Sequence, residues 1–543
     1  FTDASVDCND LPLDLNDVKA HVVFRPEQID VKELAGRHGE TSLVLSGVVR
    51  PSETPSRKKY DLTFGLSDAE INDDLLDLLP AGARKSVKEM NPRGKVNLEI
   101  KLDNTDEAGP TKYAISVECL GNSATLPQFP YPLADARGTI VVRPGRIEIK
   151  DVSAAPGEEV GIVALDSAIR LDGEVILSDG AFESATLSVV GEKIFFDKCL
   201  AEALPGGFRP FYDKLLPVGL FNVDLYPLVV RRAGNDESDI EFDGTVELER
   251  CRFRISGADT EVGDARLHVS KGKYKGGEGF SECNVEAEAQ SVRIQGKALT
   301  NLTTQLVYDS ESQIWSMKDI VADCYGGRLL GTLDINQPSD GPLGYVLEVG
   351  FTGLELKEFM ADTKHDGGSG NGHSSGKMQG ALCVSAIAGD SSTRIGTCRL
   401  LIKKMKVGKL SPLVNLFQVL KLSLPTEFAF DEMYVDSYIK GKDLIVKKLD
   451  LAGESLAFYG AGLMDLESRD VDLTLTGRGK RLATADPSLF ASLTEEIGKA
   501  MVQIYVRGNF YNPIIETKTL PFITGPLDIF GRAITGSTQY NKP

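Results

Sequence analysis

The sequence repeats itself in register. Residues 16–34, NDVKAHVVFRPEQIDVKEL, align without a gap onto 134–152, ADARGTIVVRPGRIEIKDV, and residues 79–100 align onto 204–225. The two offsets, 118 and 125 residues, differ by only seven, which is the mark of one duplicated module with small loop changes. Repetition on this scale implies β units stacked side by side so that neighbours share a core, and a function that uses the length of the body.

The shared residues have physical roles. Asp17/Asp135, Val23/Val141, Arg25/Arg143, Pro26/Pro144, Ile29/Ile147 and Lys32/Lys150 are identical, and apolar positions alternate with polar ones on either side of the proline. Each arm therefore reads as a strand with one greasy face, and the proline presets φ for the reversing turn between them. In the second window Leu79/Leu204, Pro80/Pro205, Gly82/Gly207 and Asn97/Asn222 coincide. The stretches at 68–79 and 196–204 read as helices that Pro and Gly end, with a strand to follow.

The second arm of the hairpin recurs beyond the duplication. Ile29-x-Val31-Lys32-Glu33-Leu34 and Ile147-x-Ile149-Lys150-Asp151-Val152 are matched by Trp315-x-Met317-Lys318-Asp319-Ile320 and Leu444-x-Val446-Lys447-Lys448-Leu449. Each copy leads into another glycine-bearing strand: Leu43 to Gly47, Ala168 to Gly173, Leu329 to Gly331 and Leu456 to Gly462. The starts lie 118, 168 and 129 residues apart, so insertions fall in loops or edge elements.

At 543 residues the chain carries a formal charge of −19 and no Lys/Arg-rich tract, which disfavours a nucleic-acid partner because phosphate binding needs cationic patches. Acidic charge on a solvent face keeps a long β protein soluble and discourages edge pairing. Eight scattered cysteines lack CxxC spacing and read mainly as small apolar fillers, with one or two disulfides left open. No stretch approaches the roughly 18 to 20 apolar residues of a membrane span. The chain opens at Phe1 inside β-like sequence with no signal pattern, which reads as part of a longer protein whose targeting or anchoring segment lies elsewhere.

Two further helices are expected, one opened by Ser411-Pro412 with Leu413, Leu416, Phe417 and Leu420 on one face, the other by Asp486-Pro487. Such helices read as lids on the sheet in preference to segments dipping into a membrane interface. Residues 364–376, KHDGGSGNGHSSG, form a flexible loop where the third module should carry its helix, as if a linker had replaced it. One more strand follows Asn512-Pro513.

A search for reactive chemistry finds decoys. Gly372-His373-Ser374-Ser375-Gly376 fits GxSxG but lacks the strand-turn-helix that a nucleophile elbow needs. His365 and His373 share that loop without a fixed partner. The acids Asp68, Glu70, Asp73, Asp74 and Asp77 lack the glycine-punctuated order of a calcium loop and suit a helix start. Nothing marks a catalytic residue, a metal or a cofactor, and the chain reads as a non-enzyme.

The C-terminal half resembles the AsmA-like proteins of bacterial envelopes, a group with TamB- and YhdP-type members that is similar in architecture to bridge-like lipid transfer proteins. The carrying residues are Gly380-x-Leu382-x-Val384, Leu410-Ser411-Pro412-Leu413-x-x-Leu416-Phe417, Phe428-x-Phe430, Gly441-x-x-Leu444-x-Val446 and Leu456-x-Phe458-x-Gly460-x-Gly462, with Val506-x-Gly508-x-Phe510-x-x-Pro513 as a closing strand. The N-terminal half shares only the repeat character, and the family's N-terminal helix is missing.

The resemblance implies a mainly β fold: an elongated, curved antiparallel sheet of repeated β-groove modules with a few short capping helices. On that reading the chain divides into a first module at 1–130, its duplicate at 131–240, a third at 241–375, the AsmA-like C-terminal region at 376–516 and a tail at 517–543. About 30 strands at roughly 4.8 Å would run on the order of 140 Å.

The implied function is to shelter phospholipid acyl chains in an apolar groove for intermembrane transport or outer-membrane assembly. Partners would be phospholipids and membranes or membrane proteins at the chain ends, in the bacterial envelope, periplasmic and anchored outside this chain. Candidate groove residues are Val22, Phe24, Ile29, Val31, Ile140, Val142, Ile147, Ile149, Val223, Leu225, Met317, Val446, Leu473, Leu475, Val502, Ile504 and Val506, for each of which ordinary core packing is the alternative. The competing reading is a structural or interaction β-rod with a sealed core. A polysaccharide-active protein is a weaker third, since Trp315 is the only tryptophan.

Overall fold

Long runs of alternating apolar and polar residues, punctuated by Gly, Pro and Asp turns, commit the chain to β-hairpins. A computed structural model describes residues 4–6, 15–51, 58–77, 84, 87–106, 111–127, 129–157, 160, 164, 166–204, 208–234, 237–255, 258–336, 341–362, 375–406, 430–453, 456–479, 500–510 and 512–521. It is mainly β, with twenty-seven strands and a few short helices among the described residues. The chain divides into two compact units, residues 1–295 with 304–313, and residues 296–303 with 314–543.

Unit 1 begins with β1 (Ala4–Val6) and continues through β2 (Leu15–Arg25), β3 (Gln28–His38), β4 (Thr41–Pro51), β5 (Lys58–Glu70), β6 (Lys95–Asp103), β7 (Lys112–Leu126) and β8 (Phe129–Arg143). It goes on with β9 (Arg146–Pro156), β10 (Ala168–Ser178), β11 (Ala181–Phe195), β12 (Val218–Arg232), β13 (Ser238–Ile255), β14 (Ala258–Lys275) and β15 (Gly279–Ile294). From β1 to β15 every strand pairs antiparallel with the next in sequence. Three short helices interrupt it: α1 (Asp73–Asp77) after β5, and α2 (Lys198–Ala203) and α3 (Arg209–Leu215) after β11.

Strand β16 (Lys297–Asp309) contributes residues to each unit. Unit 2 holds β17 (Ile314–Cys324), β18 (Gly327–Asn336), β19 (Gly344–Glu355), β20 (Ser375–Ile387), β21 (Asp390–Lys406) and β22 (Phe430–Lys440). It ends with β23 (Asp443–Ala452), β24 (Leu456–Asp465), β25 (Asp470–Gly479), β26 (Ala500–Asn509) and β27 (Ile514–Pro521). These too pair antiparallel in chain order. Helix α4 (Leu356–Ala361) follows β19.

The fourfold sequence motif is a β-bulge. Lys32 and Glu33 of β3 oppose one residue of β4, because Val31 faces Gly47 and Leu34 faces Leu45. The pairs Lys150-Asp151, Lys318-Asp319 and Lys447-Lys448 do the same on β9, β17 and β23. A regular strand would send Val31 and Leu34 to opposite faces; the extra residue returns both to one face and strengthens the local twist. Two consecutive polar residues between apolar ones are the trace of this in the sequence.

The glycines that follow the motif answer the bulge. A Cβ on Gly47 would lie 2.1 Å from the Asp61 carbonyl oxygen, and one on Gly173 2.2 Å from that of Thr186. Only a residue without a side chain lets the neighbouring backbone come so close.

The bulged strands β3, β9, β17 and β23 are separated by six, eight and six strands, and the helices follow β5, β11 and β19. One grammar therefore covers the first three modules: bulged strand, glycine strand, strand, helix. Two expectations are corrected by it. The third module keeps its helix, α4, immediately before the Gly/Ser stretch that was expected to replace it. The second copy of the second window holds a helix of its own, α3, before its strand, where the sequence was expected to lead straight from Pro205 and Gly207 into a strand. The helices expected at Ser411-Pro412 and Asp486-Pro487 lie outside the described residues.

Candidate functional site: an apolar trough

Antiparallel partners carry side chains on the same face, so register decides whether greasy faces join up. In unit 1 they do. Ala20, Leu34, Leu45, Phe64, Ile100, Ile115, Val142, Ile147, Val175, Ala185, Val230, Ile240, Tyr274 and Phe280 face one another in succession, one from each strand β2 to β15. Every member of this rank is apolar or aromatic. A parallel rank runs Leu43, Leu66, Leu98, Val117, Ile140, Ile149, Gly173, Leu187, Leu228 and Phe242. Fourteen strands at roughly 4.8 Å extend such a rank about 60 Å.

The exposure of this face distinguishes it from a sandwich interior. Of the first rank only Ile115, Ala185 and Tyr274 are buried, and the others are half-buried. A face covered by a second sheet buries such residues completely. The opposite face is polar and crossed by ion pairs, Arg146–Glu174 at 2.6 Å, Arg170–Glu192 at 2.9 Å and Arg266–Glu247 at 2.7 Å. Pairs this exposed contribute little to stability and mark a solvated surface.

The candidate residues fall into three groups. Val22, Ile29, Val31, Ile140, Val142, Ile147, Ile149, Val223 and Leu225 all stand half-buried on the apolar face of unit 1, and Phe24, at its hairpin edge, is 75% exposed. In unit 2 Met317 and Leu473 are half-buried. Val446, Leu475, Ile504 and Val506 are instead buried in a hydrophobic core with Met405, Phe430, Leu451 and Phe458, the packing that was the alternative for each of them. Val502 pairs with Gly477, and its side chain lies outside the described residues. Trough residues such as Leu45, Phe64, Val175 and Val230 lie outside the repeated windows, and their alternation alone would have found them.

One end of the strands in unit 1 is sealed by helices. Leu75 of α1 packs against the buried cluster that includes Leu66, Ala69 and Val96, and Asn72 caps that helix by accepting the Leu75 amide at 2.9 Å. Asp73 and Asp74 occupy its first turn, the role expected of acids there. Leu200 and Ala203 of α2 pack on Tyr131 beside Phe221. Asp197 caps α2 by accepting the Leu200 amide at 2.7 Å, and its backbone carbonyl accepts the Tyr212 hydroxyl of α3 at 2.8 Å. Burial holds the Asp197 carboxyl above its ordinary range, and its second oxygen is buried without a partner. Burial raises the Tyr131 and Tyr212 hydroxyls as well.

In unit 2, α4 is pinned from β16 and the β17–β18 turn. Lys297 donates to the Phe359 carbonyl at 2.8 Å and lies over that ring at 3.9 Å. Tyr325 accepts the Ala298 amide and donates to Asp362, both at 2.9 Å. Burial lowers Lys297 and pushes Tyr325 up to about 12.

Seven cysteines are free thiols, of which Cys251, Cys283 and Cys324 are buried; Cys8 lies outside the described residues. Among the described residues no three His, Cys, Asp or Glu side chains converge as metal ligands, and no helix is long and apolar enough to cross a membrane. The GxSxG match lies mostly outside the described residues, and its last two positions begin β20. A shallow hollow of about 350 Å³ sits on the polar face among Ser46, Thr63, Ser67, Glu99, Ser116 and Glu118. No protein-family model, no curated protein and no solved structure matches the chain.

Proposed function

We propose that the protein is a non-enzymatic carrier of lipid, in which acyl chains lie against the apolar face of unit 1 and head groups ride at its edge. The observation that carries this reading is the fourteen-strand rank of apolar side chains, eleven of them left half-buried. Each methylene sheltered there is worth about 0.8 kcal/mol, so an open wall holds tails without a shaped pocket. A face of uniform affinity gives no direction; a gradient or a partner at the chain ends supplies it. Transport between membranes of the bacterial envelope, as in AsmA-like proteins, is the setting in which such a wall is useful.

The test is native mass spectrometry of the chain purified without detergent, beside Val142→Glu and Ile147→Glu. Bound phospholipid in the wild type that both substitutions remove supports the carrier. A lipid-free wild type that also fails to take up lipid from vesicles overturns it. The second reading, a scaffold with a sealed interior, draws on unit 2, where Ile504 and Phe430 are fully buried.

A further inference from the structure

The rank of unit 1 changes character where α3 meets it. From β2 to β12 its one aromatic member is Phe64, whereas Tyr274 and Phe280 follow on β14 and β15, with Phe242 of the parallel rank on β13. Gly272, opposite Phe242, makes room for that ring: a Cβ there would lie 2.6 Å from it, so the ring rests on bare backbone of β14. Among these three rings sits Phe208, the residue that opens α3, with ring centroids 4.8 Å from Phe280, 5.3 Å from Tyr274 and 6.3 Å from Phe242. Tyr274 is one of the few buried members of the rank, and the ring that lies against it comes from a helix.

The same helix is also held at the sealed end of the strands. Tyr212 stands 6.1 Å from Phe196, which stacks on Phe221 at 4.6 Å, and the Tyr212 hydroxyl donates to the Asp197 carbonyl. On β12 Phe221 shares the face of Val223 and Leu225, and Leu228, the partner of Phe242, lies seven residues further on. With its two rings α3 therefore bridges about 20 Å along the strands, across the width of the trough and at right angles to its length. The hold is light. None of the described side chains of α3 is buried, its first residue is not capped by a side chain, and seven residues are too few for a helix to sustain itself in water. Phe208 and Tyr212 tie it to the trough wall at two points, and an element so held opens at low cost.

From this arrangement we propose that α3 is a crossbar: seated among Phe242, Tyr274 and Phe280, Phe208 stops an acyl chain from passing along the trough beyond β12, and when Phe208 leaves, a chain takes its place on the same rings. The inference rests on the carrier reading and adds a gate to it. Phe208 presents to the three rings what the end of a tail presents, an apolar body to be kept from water, so the two compete for one surface. Lipid loaded onto β2 to β11 thus lowers the seated fraction by mass action.

The experiment offers the whole chain vesicles of phosphatidylcholine carrying a photoreactive diazirine at the end of one acyl chain, and maps the label after illumination by peptide mass spectrometry. In the wild type at low lipid load, label should fall on the peptides holding Val142 and Ile147 and be about tenfold scarcer on those holding Phe242, Tyr274 and Phe280, the yield of one ring's aromatic contacts. Phe208→Ala should bring the second set up to the level of the first, whereas Phe208→Leu, which still fills the seat, should stay near the wild type. The contrast within the wild type supports the crossbar even if Phe208→Ala does not fold. Even labelling of both sets in the wild type, or a contrast that Phe208→Ala leaves unchanged, overturns the crossbar and leaves the carrier standing. No label on either set overturns the carrier reading and the crossbar with it.

Discussion

Asn97 and Asn222 perform one task at positions 125 residues apart. Each is the single residue facing a two-residue bulge, Ser67-Asp68 in one copy and Glu192-Lys193 in the other. Its side-chain oxygen accepts the amide of the positive-φ residue, Asp68 at 3.0 Å and Lys193 at 2.7 Å. Its amide nitrogen donates to a glutamate on the following strand, Glu118 and Glu249. Asp172 and Asp243 serve the bulges at Asp151 and Lys271 in the same manner. Replacing Asn97 or Asn222 by Ala removes the acceptor from an amide with no ladder partner and should cost about 1 to 2 kcal/mol each. Chemical denaturation reads this directly, and a loss below a few tenths would show that water does the work instead.

The glycines opposite the bulges should tolerate no side chain. Gly173→Ala places a Cβ 2.2 Å from a backbone oxygen at φ +140, which should cost roughly 1 to 3 kcal/mol. Gly344→Ala, with nothing within 4 Å, is the matched control and should be neutral or slightly stabilising. Equal midpoints for the two variants would contradict the close approach.

Asp197 should make stability fall with rising pH. Its folded-state carboxyl is held above the unfolded value by burial, so its contribution is complete below the ordinary carboxylate range and is lost as pH climbs through the raised value. Asp197→Asn keeps an oxygen for the Leu200 amide and removes the buried charge. The melting-temperature difference, variant minus wild type, should therefore grow as pH rises from about 4 to 7. A difference that is flat or shrinks would contradict the assignment.

Thiol chemistry offers an independent check on packing. In denaturant without reductant at least seven cysteines should react with an alkylating reagent, the number that are free here. In the native state at pH 8, Cys283, pushed up to about 11 by burial, should react slowest. Recovery of fewer than seven reactive thiols would reveal a disulfide and contradict the free state of these side chains.

Much of this architecture is legible in the sequence because β structure writes a period-two pattern. Tyr60, Leu62, Phe64 and Leu66 alternate with Lys59, Asp61, Thr63 and Ser67, and they fold as they read. The bulges were harder to see, since Lys150-Asp151 looks like a break in alternation until the facing strand supplies one residue for two. The division between open and sealed apolar residues had no local trace. Val142 and Val506 are alike in sequence, yet one lies on a bare face and the other beneath Phe430 and Met405, a difference set by residues far along the chain. Helix α3 was missed because seven residues starting Arg-Pro carry too short a period to register.

The six-, eight- and six-strand intervals between bulged strands have an evolutionary consequence. Material gained or lost in whole hairpins leaves every later strand pointing as before, keeps the helices on their own rim and requires no partner other than its immediate neighbours. Each such insertion adds roughly 10 Å of reach. A lineage can thus lengthen the sheet by copying turns, without redesigning anything already in place.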